Sequence, residues 1–368
     1  MSGNKRENSG DVAYREGLGK KFAKKLLHWN KRHNHRQMPW KGEKDAYKIW
    51  ISEIILQQTR VEQGLKYYEA FIKNFPTVHH LAKAPDQKVF KLWEGLGYYS
   101  RCKNLLASAR YISNELKGVF PQDYESILNL KGIGGYTAAA IASFAYNLPY
   151  AVLDGNVFRV LSRILDIELP IDSKEGKQNF GAVAQQILPR KNAGEYNQAI
   201  MDFGATICKP LPVCAQCFFN KDCKAYLQGK QQSLPIKENQ LKTRERWFNY
   251  IAIRFQHRYA IRERTAKDIW QHLYEFPLIE TNNKISEKEI KQLMLQQFGV
   301  KSRDYQVISS KPGTTQKLSH QKIYFHFTLV DLKKQVLPGG FVYVNEKHLK
   351  KYPFPKTLKQ FITDELDD

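Results

Sequence analysis

The chain has 368 residues, enough for two domains that each bury a hydrophobic core, and this length excludes a short peptide or a small disulfide-stapled module. Hydrophobic residues make up 42% of the chain, and no run approaches the roughly 20 apolar residues that span a bilayer, which predicts a soluble protein without a membrane partner. An excess of 58 Lys and Arg over 36 Asp and Glu gives a net charge of +22, which favours a polyanionic partner such as nucleic acid. A lysine-rich surface that only confers solubility is the alternative.

The N-terminal residues 1–20 are basic and lack the apolar stretch of a signal peptide. Glu7, Asp11 and Glu16 also argue against a transit peptide. We therefore predict a flexible basic arm over 1–20 and a cytoplasmic protein.

Residues 21–226 show amphipathic helical periodicity with Gly and Pro between the segments, which predicts an all-α domain. Glu53 lies in KIWISEIILQQT, where the neighbouring turns are largely apolar. A carboxyl group in apolar surroundings has a raised pKa and can serve as a general acid. An exposed helical glutamate is the alternative. The same helix ends in Gln57, Gln58 and Thr59, polar residues that could enter a nucleic acid duplex.

The segment WEGLGYYSR, which holds Leu96 and Tyr98, offers aromatic residues of the kind that fill the gap left by an extruded base, although packing within the protein is their more frequent role. Further along, Lys131-Gly132-Ile133-Gly134-Gly135 forms a tight turn between two predicted helices. The backbone N–H groups at the start of the second helix could bind a phosphate, as in a helix-hairpin-helix. A plain helical turn is the alternative.

Asp154 immediately precedes a predicted helix in VLDGNVFRVLSRIL. Its local sequence favours a turn or capping role, shared with Asn156, over chemistry.

Four cysteines fall within sixteen residues, over 208–223, and form a compact loop at the end of the helical domain: Cys208, Cys214, Cys217 and Cys223. This spacing predicts a metal site and not a disulfide framework. Four thiolates suit a tetrahedral zinc ion or a [4Fe-4S] cluster, and the spacing alone leaves both possibilities open.

Residues 227–242 are polar and predict an interdomain linker. Beyond them, dense β-branched and aromatic residues and the alternation of Ile323, Phe325, Phe327 and Leu329 predict strands. One helix is expected over about Ser286 to Gln297, so residues 243–368 should form a small α+β domain that ends in a solvated acidic tail.

Six motifs, in this order, resemble those of adenine DNA glycosylases of the MutY type: SEIILQQTRV, WEGLGYYSR, LKGIGGYT, LDGNVFRVLSR, MDFGATIC and the cysteine loop. The similarity is dense from Gln37 to Cys223 and looser in the C-terminal domain. It implies a helix-hairpin-helix glycosylase domain followed by a Nudix-like domain, and a monomeric enzyme that removes adenine opposite 8-oxoguanine or guanine in double-stranded DNA.

The resemblance also implies roles for individual residues. Glu53 would protonate the adenine, Asp154 would stabilise positive charge on the deoxyribose, and Tyr136 and Asn156 would support them. Trp40 and Asp202 would surround the extruded adenine. Contacts with DNA or the lesion would come from Gln58, Thr59, Leu96, Tyr98, Gly132, Gly134, Ser319 and His320.

Related lyases place a catalytic lysine where this chain has Tyr136, so the resemblance implies a monofunctional enzyme that leaves an abasic site. It also favours a [4Fe-4S] cluster over zinc at the four cysteines. Two departures are visible: five residues instead of six separate Cys208 from Cys214, and Leu318 stands where the family has phenylalanine before Ser319 and His320. The segment SEKEIKQLMLQQFGV lacks the glutamate pattern of a Nudix hydrolase, so the C-terminal domain should recognise the lesion without hydrolysing nucleotides.

Overall fold

A computed structural model of the protein describes residues 9–238, 243–318 and 320–366. The predicted lesion-binding Ser319 lies outside the described residues, as do residues 1–8 of the predicted arm, 239–242 of the predicted linker and 367–368 of the acidic tail.

The regular structure described before residue 239 is all helical, in agreement with the sequence prediction. The helices are α1 (Ser9–His33), α2 (Ala46–Leu56), α3 (Val61–Asn74), α4 (Val78–Lys83), α5 (Asp86–Trp93), α6 (Tyr99–Asn114), α7 (Tyr124–Leu128), α8 (Gly135–Tyr146), α9 (Gly155–Leu165), α10 (Lys174–Ile187), α11 (Ala193–Thr206) and α12 (Lys224–Leu227). Short 3₁₀ turns lie at Arg190–Asn192 and Cys214–Gln216. Across the described residues, no helix is both long and apolar enough to cross a membrane.

The chain divides into two compact units, and the boundary differs from the predicted one. The first unit comprises Met1–Ala82 and Ala107–Asn239, and the second comprises Lys83–Leu106 and Gln240–Asp368. Helix α5 and the first half of α6 therefore belong with the C-terminal stretch, whereas the sequence predicted one continuous domain over 21–226. The physical reason is that α5 hydrogen-bonds to the backbone of residues 351–354.

The core of the first unit is built from α1, α8, α9, α10 and α11. Phe22 of α1 packs edge to face against Phe203 of α11 and against Phe219, with ring centroids 5.8 and 5.2 Å apart. The fully buried alanines of α8 let neighbouring helices approach it closely. This packing fixes α8 and α9, the helices that begin next to the predicted catalytic residues.

The described C-terminal stretch forms a mixed sheet of eight strands, consistent with the predicted α+β class. The strands are β1 (Arg244–Phe255), β2 (Arg258–Glu263), β3 (Tyr274–Glu275), β4 (Leu278–Thr281), β5 (Tyr305–Pro312), β6 (Gln316–Lys317), β7 (Gln321–Leu332) and β8 (Val342–Asn345). Strands β1 and β7 pair in parallel, and the other pairs are antiparallel, in the order β3-β2-β1-β7-β5, with β4 beside β1, β6 beside β7 and β8 beside β2. Helices α13 (Glu287–Phe298), α14 (Glu346–Leu349) and α15 (Lys356–Glu365) and a 3₁₀ turn at Ser302–Asp304 complete it.

Two predictions, one about the N-terminal arm and one about the linker, differ from the structure. Helix α1 begins at Ser9, so residues 9–20 of the predicted flexible arm are helical. The predicted linker is ordered as far as residue 238: Leu234 is buried, its carbonyl accepts a hydrogen bond from Arg163 Nε, and the carbonyl of Ile236 accepts one from Ile171 N. Such hydrogen bonds cannot be predicted from the amino-acid composition of the segment.

Candidate active site

Glu53 lies in the middle of α2, a helix that is buried on nearly every side. The residue is only 6% exposed, and its Oε2 accepts a hydrogen bond of 2.8 Å from the Tyr136 hydroxyl. Burial raises the pKa of Glu53 to about 7, the Tyr136 hydrogen bond opposes that shift, and the nearby Asp154 charge adds to it. The carboxyl group can therefore hold a proton near neutral pH, as the apolar sequence around it predicted.

Asp154 is the N-cap of α9, and its two oxygens have different partners. Oδ1 accepts a hydrogen bond from Val157 N at 2.7 Å, and Oδ2 accepts one from Asn156 Nδ2 at 2.7 Å. Burial raises the pKa of Asp154, whereas both hydrogen bonds oppose the shift by stabilising the ionised form. The capping role that the local sequence favoured is confirmed, and it does not exclude a role in chemistry.

Tyr136 lies in the first turn of α8 and faces both carboxyl groups. Burial and the neighbouring Glu53 and Asp154 raise its pKa well above the ordinary value. The hydroxyl therefore stays protonated and donates to Glu53.

These side chains line one cavity of about 360 Å³ within the first unit, a size typical of small-molecule sites. It brings together eight of the residues predicted from the sequence: Trp40, Glu53, Gln58, Thr59, Tyr136, Asp154, Asn156 and Asp202. A planar base would meet aromatic rings, three carboxyl groups and several amides there.

Asp202 at the rim of this network is paired with cations that the sequence interpretation missed. Its side chain is fully buried, and its oxygens accept from Arg36 Nη1 at 2.9 Å, Asn34 Nδ2 at 2.9 Å and Lys41 Nζ at 3.1 Å. Arg36 also lines the cavity. The signal available in the sequence was the pair of cations flanking Trp40 in RQMPWK, but their partner is 166 residues away from Arg36.

The glycine turn lies between α7 and α8, as predicted for a hairpin. Gly132 has a φ of +83°, a conformation that favours glycine. Gly134 is the N-cap of α8 and has no side chain to bond the N–H groups of the first turn, and a Cβ at this position would meet open space. The turn can therefore approach a phosphate closely.

Comparison with known proteins finds two family models and several relatives that match this chain. Residues 51–183 match the family model of HhH-GPD superfamily base excision DNA repair proteins, and residues 249–364 match that of the NUDIX domain. The adenine DNA glycosylase of Buchnera aphidicola subsp. Acyrthosiphon pisum is 37% identical over 259 residues, which cover 70% of this chain and 73% of the relative. The chain belongs to the adenine DNA glycosylase family.

Membership makes it a DNA glycosylase, a base excision repair enzyme that cleaves N-glycosyl bonds. The human adenine DNA glycosylase is 39% identical over 223 residues, which cover 58% of this chain and 41% of the human protein. A thermostable thymine-DNA glycosylase superimposes with a TM-score of 0.53 at 28% identity, covering 58% of this chain and 98% of that one. Endonuclease III in a trapped complex with DNA shares the fold, with a TM-score of 0.51 at 17% identity over 58% of this chain and 98% of its own.

In this glycosylase the four loop cysteines line one small cavity of about 20 Å³, next to Arg163. Arg163 is nearly fully buried and donates to the carbonyls of Lys209 and Pro210, and Arg159 donates to the carbonyl of Cys208. All four cysteines therefore border the same cavity, although only five residues separate the first two. Within the described residues, no three potential ligands are arranged around a single metal ion.

A second cavity of about 570 Å³, within the second unit, is lined by Tyr98, Leu318 and His320, together with Trp270. Tyr98 is 48% exposed, whereas Leu96 is 7% exposed. Leu96 therefore packs inside the unit, and its contact with DNA stays a prediction. Tyr98 and Gln58 both have left-handed backbones, with φ values of +47° and +57°, which non-glycine residues rarely adopt. Such strain is frequent at functional sites.

Proposed function

We propose that the enzyme hydrolytically removes adenine paired with 8-oxoguanine, or with guanine, and leaves an abasic site. The observation that carries this proposal is the pairing of a protonatable Glu53 with Asp154 in one cavity, beside Tyr136. The resemblance to adenine DNA glycosylases supplies the identity of the base.

In this proposal adenine leaves the base stack and enters the cavity, and Glu53 donates its proton to a ring nitrogen. The N-glycosyl bond then breaks, and the bonding electron pair leaves with the neutral base. The ionised form of Asp154, which the hydrogen bonds from Val157 N and Asn156 favour against the effect of burial, stabilises the positive charge on the deoxyribose. One water molecule adds to the sugar carbon and returns a proton to the site, so the net reaction consumes one water.

The alternative function is a lyase that forms a Schiff base with the sugar. It needs an unprotonated amine at the reacting carbon, and a phenol occupies the corresponding position. Tyr136 supports monofunctional chemistry, since its raised pKa keeps it a hydrogen-bond donor and a poor nucleophile.

We also propose that the four cysteines hold a [4Fe-4S] cluster. Burial raises the pKa of Cys217 to about 12 and that of Cys223 to about 11, so four ionised thiols would need a strong positive charge among them. The observation that supports this proposal is that all four cysteines line one cavity. When bound, it would fix the loop beside α9 and the phosphates of DNA.

The test is single-turnover excision from duplexes that contain adenine opposite 8-oxoguanine, adenine opposite guanine, or a normal pair. The wild type should release adenine from both mispairs, faster from the first, and Glu53→Gln should still bind the duplex while release falls by about 10² to 10⁴. Wild-type rates for Glu53→Gln would overturn the assignment of the acid. A covalent complex trapped by borohydride would overturn monofunctional hydrolysis.

A further inference from the structure

Helix α5 in the second unit and its C-cap form hydrogen bonds with the backbone between α14 and α15. Its polar residues Gln87 and Lys91 lie on one face of the helix, four residues apart, and Glu94 follows three residues later at the C-cap on the same side. Their hydrogen bonds to the backbone of 351–354 run in parallel order: Gln87 Nε2 to Lys351 O at 3.4 Å, Lys91 Nζ to Tyr352 O at 3.0 Å, and Phe354 N to Glu94 Oε1 at 3.0 Å.

Glu94 is the centre of this contact. Its side chain is only 6% exposed, and besides Phe354 N it accepts from Lys91 Nζ at 3.0 Å and from Lys359 Nζ of α15 at 2.8 Å. A buried carboxylate with two cations and a backbone donor is held firmly, because moving it would leave buried charges without partners.

Tyr98 lies at the end of a turn that begins at Glu94. Gly95 and Gly97 have positive φ values, and Trp93 Nε1 donates to Gly97 O at 3.1 Å. The Arg101 guanidinium lies 5.4 Å from the ring centroids of both Trp93 and Tyr98. The strained, exposed tyrosine is therefore supported on one side by its own turn and, through Glu94, by the C-terminal stretch.

We propose that Glu94 is a positioning residue that couples the Tyr98 turn to the C-terminal stretch, so that Tyr98 and the cavity at Leu318 and His320 meet the DNA as one rigid body. The inference rests on the proposed preference for 8-oxoguanine, because coupling matters only if both parts read the same lesion. Without the Glu94 contacts, the Gln87 and Lys91 hydrogen bonds would remain, but Tyr98 would be held less firmly relative to that cavity.

The experiment measures single-turnover rates with the full-length enzyme on adenine opposite 8-oxoguanine and adenine opposite guanine. We expect Glu94→Ala to lower the ratio of the two rates about tenfold, equivalent to about 1.4 kcal/mol. The ratio for Glu94→Gln should lie between those of the wild type and Glu94→Ala. The glutamine amide oxygen can still accept from Phe354 N, but it cannot form ion pairs with the two lysines. Both rates come from one preparation, so partial unfolding cancels in the ratio.

The matched control is Glu115→Gln, which changes the same charge at an exposed site just after α6 and should leave the ratio unchanged. Tyr98→Ala combined with Glu94→Ala should lower the ratio no further than Tyr98→Ala alone, because Glu94 acts through Tyr98. Additive losses, or a wild-type ratio in Glu94→Ala, would overturn the proposal.

A second measurement separates this inference from the proposed function. 2-Aminopurine placed beside the base opposite adenine fluoresces when Tyr98 unstacks it, whatever that base is. Glu94→Ala should reduce the increase in fluorescence on DNA binding, as Tyr98→Ala should. If the wild-type enzyme shows no preference between the two mispairs, the proposed specificity fails, and an unchanged fluorescence rise in Glu94→Ala would refute the positioning role itself.

Discussion

Glu53 can hold a proton near neutral pH because burial removes the water around its carboxyl group. The carboxyl group is 6% exposed and has one resolved hydrogen-bond donor, the Tyr136 hydroxyl. Burial disfavours its charged form, and the hydrogen bond recovers part of that cost by stabilising the carboxylate. Two opposing interactions thus set one pKa near neutrality.

The pH dependence of excision should therefore show an alkaline limb near pH 7. Glu53 is active when protonated, so the rate should fall about tenfold per pH unit above its pKa of about 7. Tyr136→Phe removes the interaction that lowers this pKa, so the limb should move to higher pH. A limb that moves to lower pH, in single-turnover rates measured across the neutral range, would contradict this account.

Individual residues differ in how far the sequence could predict them. Glu53 was predictable because its burial follows from apolar neighbours on its own helix. Asp154 was ambiguous, since it truly caps α9. Arg36 could not be found, because its significance depends on Asp202, which only the tertiary fold brings near.

At the scale of elements, α9 links stability and chemistry through its N-cap. Asn caps helices about as well as Asp but carries no charge. We expect Asp154→Asn to keep its thermal stability while excision falls by about 10² to 10³. Ser173→Ala is the converse control: it removes the cap of α10, should cost about 1 kcal/mol of unfolding free energy, and should leave excision intact. Full activity in Asp154→Asn would refute the electrostatic role.

The hairpin allows a second test at this scale. Gly134 has no steric need for glycine within the protein, as its φ is −103° and an added Cβ would meet open space. We expect Gly134→Ala to fold normally but to bind duplex DNA more weakly, because the methyl group would occupy the place of the phosphate. Gly181→Ala, also facing open space but on α10, should leave binding unchanged. Equal affinities of both variants, measured by fluorescence anisotropy, would argue against phosphate binding here.

The change from helices to strands along the chain followed from periodicity, but the start of α1 and the structure of the predicted linker did not. A polar stretch gives no hydrophobic pattern, yet residues 227–238 are fixed by hydrogen bonds from Arg163 and Ile171 and by the buried Leu234. Residues 83–106 were assigned to the helical domain because they are helical. Their contacts with residues 351–354 are set by tertiary structure alone.

For the whole molecule, the net charge of +22 is less available to DNA than its sum suggests. The segment 230–264 is rich in Lys and Arg, but several of these cations pair with carboxylates of the same chain. These are Lys230 with Asp166 and Glu168, Arg246 with Asp268 and Glu280, Arg254 with Asp331, and Arg262 and Arg264 with Glu275. Helix α1 is the better candidate, because Lys24, Lys31 and Arg32 are exposed on it.

Replacing those three residues of α1 with glutamine should weaken duplex binding and flatten its salt dependence. The log–log slope should fall by up to about 0.9 for each phosphate that the protein no longer neutralises. The excised base should not change, since phosphate contacts carry no sequence information. A matched triple of exposed lysines, Lys174, Lys177 and Lys288, serves as the control. Equal flattening by both triples would mean that net charge, and not α1, is responsible.

The division of the chain into units also limits how this enzyme can be recombined with its relatives. The path crosses from one unit to the other near residues 82, 106 and 239. A chimaera joined at the apparent domain boundary would carry α5 from one parent and its partner backbone, 351–354, from the other. Exchanging lesion preference between homologues should therefore require residues 83–106 to be transplanted together with the C-terminal stretch.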